Sequence, residues 1–594
     1  MAKSSNIADR KTGLKYTRTM MQIAFLMVKC RRAAALLLLV LFSPAGVLEA
    51  AHPEAARGSG GAVASAAADA TEAGLEVLRA GGNAADAAVA TALALAVVRP
   101  RAGNLGGGGF AVTRFGDEVK TLDFRETAPA EATRDMYLDK QGEPRPGASL
   151  IGPLAAGVPG SPAGLYELHK ELGRLPWAKV VAPAIRLARD GFIVDRRLAL
   201  GTEEYADLFG RFPETAAVWL PGGQSPEAGS TMRLPELAAT LEAYAERGAP
   251  AITEGPIAAQ VELASRLHGG VLRAADLAAY RPVWRQPVRF EAFGWQVASM
   301  PLPSSGGIIL GQTCGLLERL EWAKFSRFGA DRFHLLVEVF RRAYADRVLL
   351  GDPRTSLASA AQLLAGTWLD FRAGTILLAN ATPSDRVRAW SSNLVPEKPE
   401  TTHLSVMDGD GNAVAITTTL NGAFGCGLVV AGAGFFLNNE MDDFATAPGQ
   451  PNLYGLIQGE ANSVGPGKRM LSSMTPTIAW RGNEVIVTGS PGGSRIPTAT
   501  AQVLLNLIVD GDELQAAVDR ARVHHQWMPD FLFAEADALS PETAKALERR
   551  GHVLQLVDSI GEVHSVRGEI GGEVQAAQDP RGPGAAGVVR PAVD

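Results

Sequence analysis

Thr401-Thr-His-Leu-Ser-Val-Met-Asp-Gly-Asp-Gly-Asn-Ala-Val-Ala-Ile-Thr-Thr-Thr-Leu-Asn421 is the stretch on which the fold turns. Residues 403–407 and 413–420 are β-branched and apolar runs on either side of Asp408-Gly-Asp-Gly-Asn412, the pattern of an antiparallel hairpin. A hairpin accounts for the middle of the stretch but not for its ends. Antiparallel pairing brings Thr401, at the mouth of the first strand, to the same edge as Thr419 and Asn421 at the end of the second. Side chains alternate along a strand, so Thr402 is expected on the opposite face from Thr401. The hydroxyls at one edge raise the question of whether they meet for chemistry.

Outward from the hairpin, residues 384–400 are polar and Pro-bearing and read as an exposed connector that ends where the hairpin begins. Downstream, strands are expected at 435–438 and 484–488, a helix at 498–509, then a C-terminal meander. Upstream, 62–65 reads as a strand end, and 66–98 as Ala-rich helices broken at Gly81-Gly-Asn83. Strands follow at 110–114 and 120–126, then a helical middle over 162–280, and Pro301 to Gly307 opens another helix. The alternation predicts layered α/β architecture with an antiparallel component. The chain has 594 residues, 46% hydrophobic and 20% charged, enough for a large core, and length alone suggests about four domains. A net charge of −6 offers no basic footprint for nucleic acid.

The N-terminus speaks to location. Lys29-Cys-Arg-Arg32, the apolar run 33–42 and the small residues ending at Ala50-Ala51 have the three parts of a secretory signal. The expectation is a lead and signal over 1–51, cleaved near Ala51, with translation starting at Met20, Met21 or Met27, and a product exported to the periplasm or beyond. The apolar run is too short to span a bilayer, which disfavours the alternative of an uncleaved anchor. Cys30 leaves with the signal; Cys314 and Cys426 are too few for a disulfide framework and read as small buried residues.

Several motifs fail on inspection. Gly106 to Gly109 precede a strand and lack a following Lys-Ser/Thr, so they are neither a P-loop nor a dinucleotide fingerprint. Asp408, Asp410 and Asn412 imitate a calcium loop, but Ala413 stands where glycine is needed and no closing glutamate follows. His524-His525 lacks a third ligand at a familiar spacing and reads as a packed or hydrogen-bonded pair. Gly489-Ser-Pro-Gly-Gly-Ser494 misses the spacing of a hydrolase elbow. No cofactor and no metal are expected.

There remain the hairpin, Asn438-Asn-Glu-Met-Asp-Asp-Phe444, Arg469-Met-Leu-Ser-Ser-Met474 and Gly489 to Arg495. Each alone has a plain structural explanation as a turn, a cap or a tight loop. Together they resemble the γ-glutamyltransferase family, whose small subunit begins Thr-Thr-His and carries these motifs at similar intervals. The resemblance extends to Gly81 to Asp86, Gly106 to Phe110, Asp123-Phe-Arg-Glu126, Gly157 to Gly160, Pro303 to Gly307, Ala345-Asp-Arg347, Gly351-Asp-Pro353, Val523 to Trp527 and Asp579-Pro-Arg581.

The resemblance implies an α+β, four-layer αββα sandwich of the N-terminal-nucleophile hydrolase type, without cofactor. It also implies one precursor that cuts itself between Glu400 and Thr401 into a large subunit, 52–400, and a small one, 401–594, which stay together as a heterodimer. In place of four domains, both subunits would form one folded unit. Thr401 would supply the nucleophile and, through its freed α-amine, the base; an α-amine titrates near 7.7–8.0, within reach of neutrality. Thr419 would orient the Thr401 hydroxyl, and the Gly492 and Gly493 amides would hold the oxyanion. Arg125, Ser472 and Ser473 would bind the donor's α-carboxylate, and Asn421, Glu440 and Asp443 its α-ammonium. The family has either glutamine or glutamate at the Glu440 position. Residues 445–456, with Pro448, Pro451 and Tyr454, resemble a lid loop. The implied partners are glutathione and other γ-glutamyl compounds, with water or an amino-acid or dipeptide amine as acceptor. A glutaryl-type amidase, or cephalosporin acylase, is the alternative that needs no ammonium pocket. A non-catalytic secreted homologue is a third reading.

Overall fold

The hairpin forms as its sequence predicts in the computed structural model, which describes residues 54–387, 401–447 and 452–590. Thr402–Asp408 pairs antiparallel with Ala413–Thr419, with His403 opposite Thr417 and Val406 opposite Val414. Asp408 closes the turn: its Oδ1 accepts the amides of Asp410 and Asn412, each at 3.0 Å, and Gly411 takes a φ of 83°. The Asp408 carboxylate also accepts the Ala84 amide at 3.0 Å, so the turn is tied to the start of the Ala84–Val98 helix.

Around the hairpin lies a seven-stranded sheet in the order Ala585–Val588, Gly61–Ser65, Thr402–Asp408, Ala413–Thr419, Gly108–Phe115, Glu118–Phe124 and Val283–Arg285. A second seven-stranded sheet runs Ala56–Gly58, Val574–Ala577, Ser565–Glu569, Glu484–Thr488, Thr477–Arg481, Trp295–Ser299 and Val288–Ala292. The pairings in both are antiparallel.

Strand alternation sorts the layers. Leu404, Val406, Val414 and Ile416 face outward and pack with Val89 and Leu93 of the Ala84–Val98 helix in one core. Met407, Ala413 and Ala415 face inward and meet Ala298, Ile478, Val485 and Val487 of the second sheet. Beyond that sheet, Trp295, Val297 and Ile486 pack against the helices Gly306–Arg319, Ala330–Asp346 and Ile496–Ile508. The sequence of layers is helix, sheet, sheet, helix. Each buried Val, Ile or Leu contributes roughly 1.5–3 kcal/mol by leaving water. The described residues from Ala55 onward form one compact unit, in place of the four domains suggested by length.

Three expectations change. Residues 435–438 form no strand: Phe436 makes an isolated bridge to Val429, and its ring packs on Phe209, Trp219 and Phe424, so the apolar run records side-chain packing. The strand expected over 120–126 stops at Phe124, where the Arg125 amide turns to the Asp123 carboxylate. The connector expected over 384–400 begins buried, with the Trp527 indole donating to the Ser384 carbonyl at 2.8 Å. Its remainder, 388–400 with Glu400, lies outside the described residues, as do the signal and lead over 1–51, Pro448 and Pro451. Among the described residues no helix is long and apolar enough to cross a membrane. Cys314 and Cys426 are buried, and burial pushes both thiols up to about 12.

Candidate active site

The register that sets Thr402 opposite Thr418 sets Thr401 opposite Thr419 one step further on. Both line a cleft of about 280 Å³, and Thr402 does not. The end of the second strand is fixed by Asn104, whose amide donates to Thr418 Oγ1 at 3.1 Å and to the Thr419 carbonyl at 2.9 Å. Asn104 is a positioning residue that sequence reading missed; its neighbouring glycines drew attention instead. Those glycines have a packing role. A Cβ on Gly107 would stand 2.2 Å from the Thr419 carbonyl oxygen, and one on Gly106 2.0 Å from that of Phe436, so only glycine admits this approach.

His403, two residues after Thr401, is no base for it. Its Nδ1 pairs with Thr417 Oγ1 at 2.8 Å and its Nε2 with Ser405 Oγ at 3.0 Å. Burial lowers its pKa well below the ordinary value, so the ring is neutral and its nitrogens are taken up within its own sheet.

The acidic side of the cleft comes from two interlocked loops. Asn421 holds a φ of 73°, a left-handed conformation that asparagine tolerates, and its Nδ2 donates to the Asn439 carbonyl at 3.0 Å. Asn438 braces the next turn by accepting the Glu440 amide at 3.0 Å and donating to the Gly106 carbonyl at 2.8 Å. The 3₁₀ turn Glu440–Asp443 then carries both acids into the cleft. Tyr454, from the expected lid, donates to the Asn421 carbonyl at 2.5 Å, and Asn452 donates to Asp443 Oδ1 at 3.0 Å. Arg125 is fully buried, with Nη1 bonded to Glu440 and Nη2 to Asp443. The residues that the resemblance assigns to opposite ends of a donor therefore pair with one another here.

Ser472 and Ser473 line the same cleft from a loop on the second sheet's side. Gly493 also lines it, while Gly492, the residue before it, does not. Their φ values, 129° for Gly492 and 55° for Gly493, are ones a side chain would strain. The pair opens the 3₁₀ turn Gly493–Arg495, which leads into the 13-residue helix Ile496–Ile508, whose N-terminal end favours negative charge. Every described residue assigned to the site thus lines the cleft, apart from Gly492. Arg347, Leu456, Met474 and Ile496 line it too and were not singled out for it by sequence.

Charge is crowded at Arg125. Its Nη1 is 3.8 Å from Glu126, whose carboxylate oxygens are buried without a protein partner. Burial, partly offset by Arg125, raises Glu126 to about 8 and holds Glu440 well above the usual carboxylate range. Burial thus favours the protonated form of Glu126 near neutral pH. A carboxyl raised from 4.5 to about 8 on folding costs stability progressively as pH climbs between those values, and the cost is complete above the upper one. Glu126→Gln is therefore expected to match the parent's melting temperature near pH 4.5 and to exceed it increasingly up to about pH 8, read by thermal denaturation. A constant offset across that range would contradict the protonated carboxyl.

Elsewhere, His334, Glu338 and His552 lie close enough together to hold an ion. The Glu338 carboxylate is, however, bonded to Arg341, Arg342 and Thr382, and two guanidinium groups repel a cation. His524 and His525 are the hydrogen-bonded pair expected, with His524 held by Thr498 and Gln526 and His525 by Asp530.

A threonine at the head of an inner strand, a second threonine opposite it, and two β-sheets between helical layers define an N-terminal-nucleophile hydrolase. The chain belongs to the γ-glutamyltranspeptidase family, whose sequence profile matches residues 70–589. It is 44% identical over 535 residues to the glutathione hydrolase proenzyme of Escherichia coli, covering 89% of this chain and 91% of that one. Its structure resembles that of a cephalosporin acylase from Bacillus halodurans, with a TM-score of 0.80 at 27% identity over 92% of this chain and 99% of that one. It also resembles the γ-glutamyltranspeptidase of Helicobacter pylori, with a TM-score of 0.53 at 37% identity over 54% of this chain and 93% of that one.

Proposed function

We propose that the chain is a self-cleaving γ-glutamyltransferase and glutathione hydrolase, acting through Thr401. The observation that carries this reading is what the cleft leaves uncommitted. Asn421 Oδ1 and Glu440 Oε2 are buried acceptors without a protein partner, and Ser473 Oγ is a buried hydroxyl without one. An amino-acid head group has an ammonium for the acceptors and a carboxylate for the hydroxyl, whereas a glutaryl group leaves the acceptors unmet at a cost of about 1–3 kcal/mol each.

In the reaction, cleavage between Glu400 and Thr401 frees the Thr401 amine beside its own hydroxyl. The amine takes the hydroxyl proton as Oγ1 attacks the γ-carbonyl carbon. The oxyanion forms against the Gly492 and Gly493 amides, with the start of the Ile496–Ile508 helix behind them. Collapse breaks the C–N bond, the amine's proton goes to the leaving amine, and the γ-glutamyl group remains as an ester on Thr401. Water or an acceptor amine then attacks the ester, giving glutamate or a new γ-glutamyl amide. The cut pieces remain one body in this reading, because each sheet contains strands from both sides of residue 400. The basic, apolar and small-residue run before residue 52 supports export.

The test is an assay of the self-cleaved protein with glutathione, with and without a dipeptide acceptor. Release of cysteinylglycine, and formation of a γ-glutamyl dipeptide when acceptor is added, are expected. Activity on glutaryl amides with none on glutathione would favour the acylase reading.

A further inference from the structure

The two halves of the proposed chemistry stand on different sheets. Thr401 and Thr419 belong to the hairpin of the first, whereas Gly492 and Gly493 follow the Glu484–Thr488 strand of the second. A glycine pair has the least restrained backbone of any dipeptide, so amides that are to receive an oxyanion from it need an outside brace.

Ser494 is where that brace attaches. Its carbonyl accepts the Tyr344 hydroxyl from the Ala330–Asp346 helix, and its Oγ donates to Gln526 Oε1 at 2.7 Å. His524 Nε2 meets the same oxygen at 2.8 Å. An amide oxygen only accepts, so Nε2 carries the proton, and Nδ1 faces the Thr498 hydroxyl at 2.8 Å. Burial lowers His524 to about 3, which keeps the ring neutral. At the other end of the amide, Gln526 Nε2 donates to the Tyr454 carbonyl at 3.2 Å. A flipped amide would set oxygen against that carbonyl and N–H against the His524 proton, so the orientation is fixed.

From Tyr454 the chain of bonds runs on to the nucleophile's side. The Tyr454 hydroxyl donates to the Asn421 carbonyl at 2.5 Å, and the Asn421 amide donates to Thr419 Oγ1 at 2.8 Å, opposite Thr401. Ser494, Gln526 and Tyr454 are all buried, which strengthens each bond.

We propose that Gln526 is a positioning residue that fixes the oxyanion turn, through Ser494, relative to the Thr401 strand, through Tyr454. A glutamine suits the place because one planar group accepts on one side and donates on the other. The inference rests on the acyl-transfer reading above and deepens it.

The test separates ground-state binding from transition-state placement. On self-cleaved enzyme, kcat/KM is measured with a γ-glutamyl anilide, and the ground state is read from competitive inhibition by glutamate. Ser494→Ala removes one hydroxyl and with it the brace, so kcat/KM is expected to fall about 10- to 100-fold while the glutamate inhibition constant stays within about twofold. Gln526→Glu keeps an oxygen for Ser494 and His524 but, ionised, lacks the N–H that Tyr454 accepts, and should fall in the same way. The double variant should lose no more than the worse single one, because both changes cut one chain. If Gln526→Glu does not self-cleave, the same cycle run with Ser494→Ala and Tyr454→Phe, at the two ends of the chain, decides the matter. Losses that multiply independently in the double variant overturn the proposal. So do unchanged rates, or a weakening of glutamate as large as the loss of rate. A parent enzyme that turns over a glutaryl anilide and not the γ-glutamyl one would instead overturn the γ-glutamyl reading, and the same variants on that anilide, with glutarate as the inhibitor, would still test Gln526.

Discussion

Thr401→Ala is expected to remain a single chain and to lose γ-glutamyl transfer by on the order of 10⁴-fold or more, because one substitution removes the nucleophile and keeps the amine locked in a peptide bond. The parent should run on a denaturing gel as fragments of about 37 and about 20 kDa, scaled from 62.4 kDa over 594 residues to 52–400 and 401–594. Thr401→Ser keeps a hydroxyl and should still cut, more slowly. Thr401 is 4% exposed and sits opposite Thr419, so alanine there removes little packing and should leave the fold intact. N-terminal sequencing of the small fragment is decisive: a start at any residue other than Thr401 would remove the basis for assigning it as nucleophile.

Asp443→Ala should change which acyl donor the enzyme prefers. Asp443 bonds Arg125 through one oxygen and Asn452 through the other, beside Glu440. Its loss leaves a buried guanidinium half-paired and, in the proposed reading, removes one of the two acids that face an incoming ammonium. Breaking a buried charge pair costs about 3–5 kcal/mol, so kcat/KM on a γ-glutamyl amide should fall on the order of a hundredfold or more. A glutaryl amide has no ammonium to lose, and its rate relative to the γ-glutamyl amide should rise. Self-cleavage of the variant is checked first on a gel, which separates a misfolded protein from a folded one with altered preference. If both rates fell in equal proportion, Asp443 would not be reading the ammonium.

Much of the frame was legible in the linear chain. The 401–421 hairpin, the glycine break between Ala68–Arg79 and Ala84–Val98 and the helix after Gly493 follow from side-chain alternation, turn chemistry and glycine, which act over a few residues. Residues 435–438 misled because an apolar run has the same composition whether it pairs as a strand or packs its rings against Phe209 and Trp219. Asn104 escaped notice because its partners, Thr418 and Thr419, lie 314 and 315 residues away.

By itself, the sequence determined the hairpin, the meeting of Thr401 and Thr419 at one edge, and, through its ordered motifs, the family and the residue types that line the cleft. Only the tertiary structure decided which charges answer which. Arg125 is 315 residues from Glu440 and 318 from Asp443, and their pairing depends on how loops from separate strands converge in a buried cleft. The same convergence leaves Arg347 and Ser473 with open donors, although neither has a neighbour in sequence that foretells it. Local bonding rules act along the chain. Desolvation and charge pairing act across space, where a guanidinium left without water takes the carboxylates that folding places beside it.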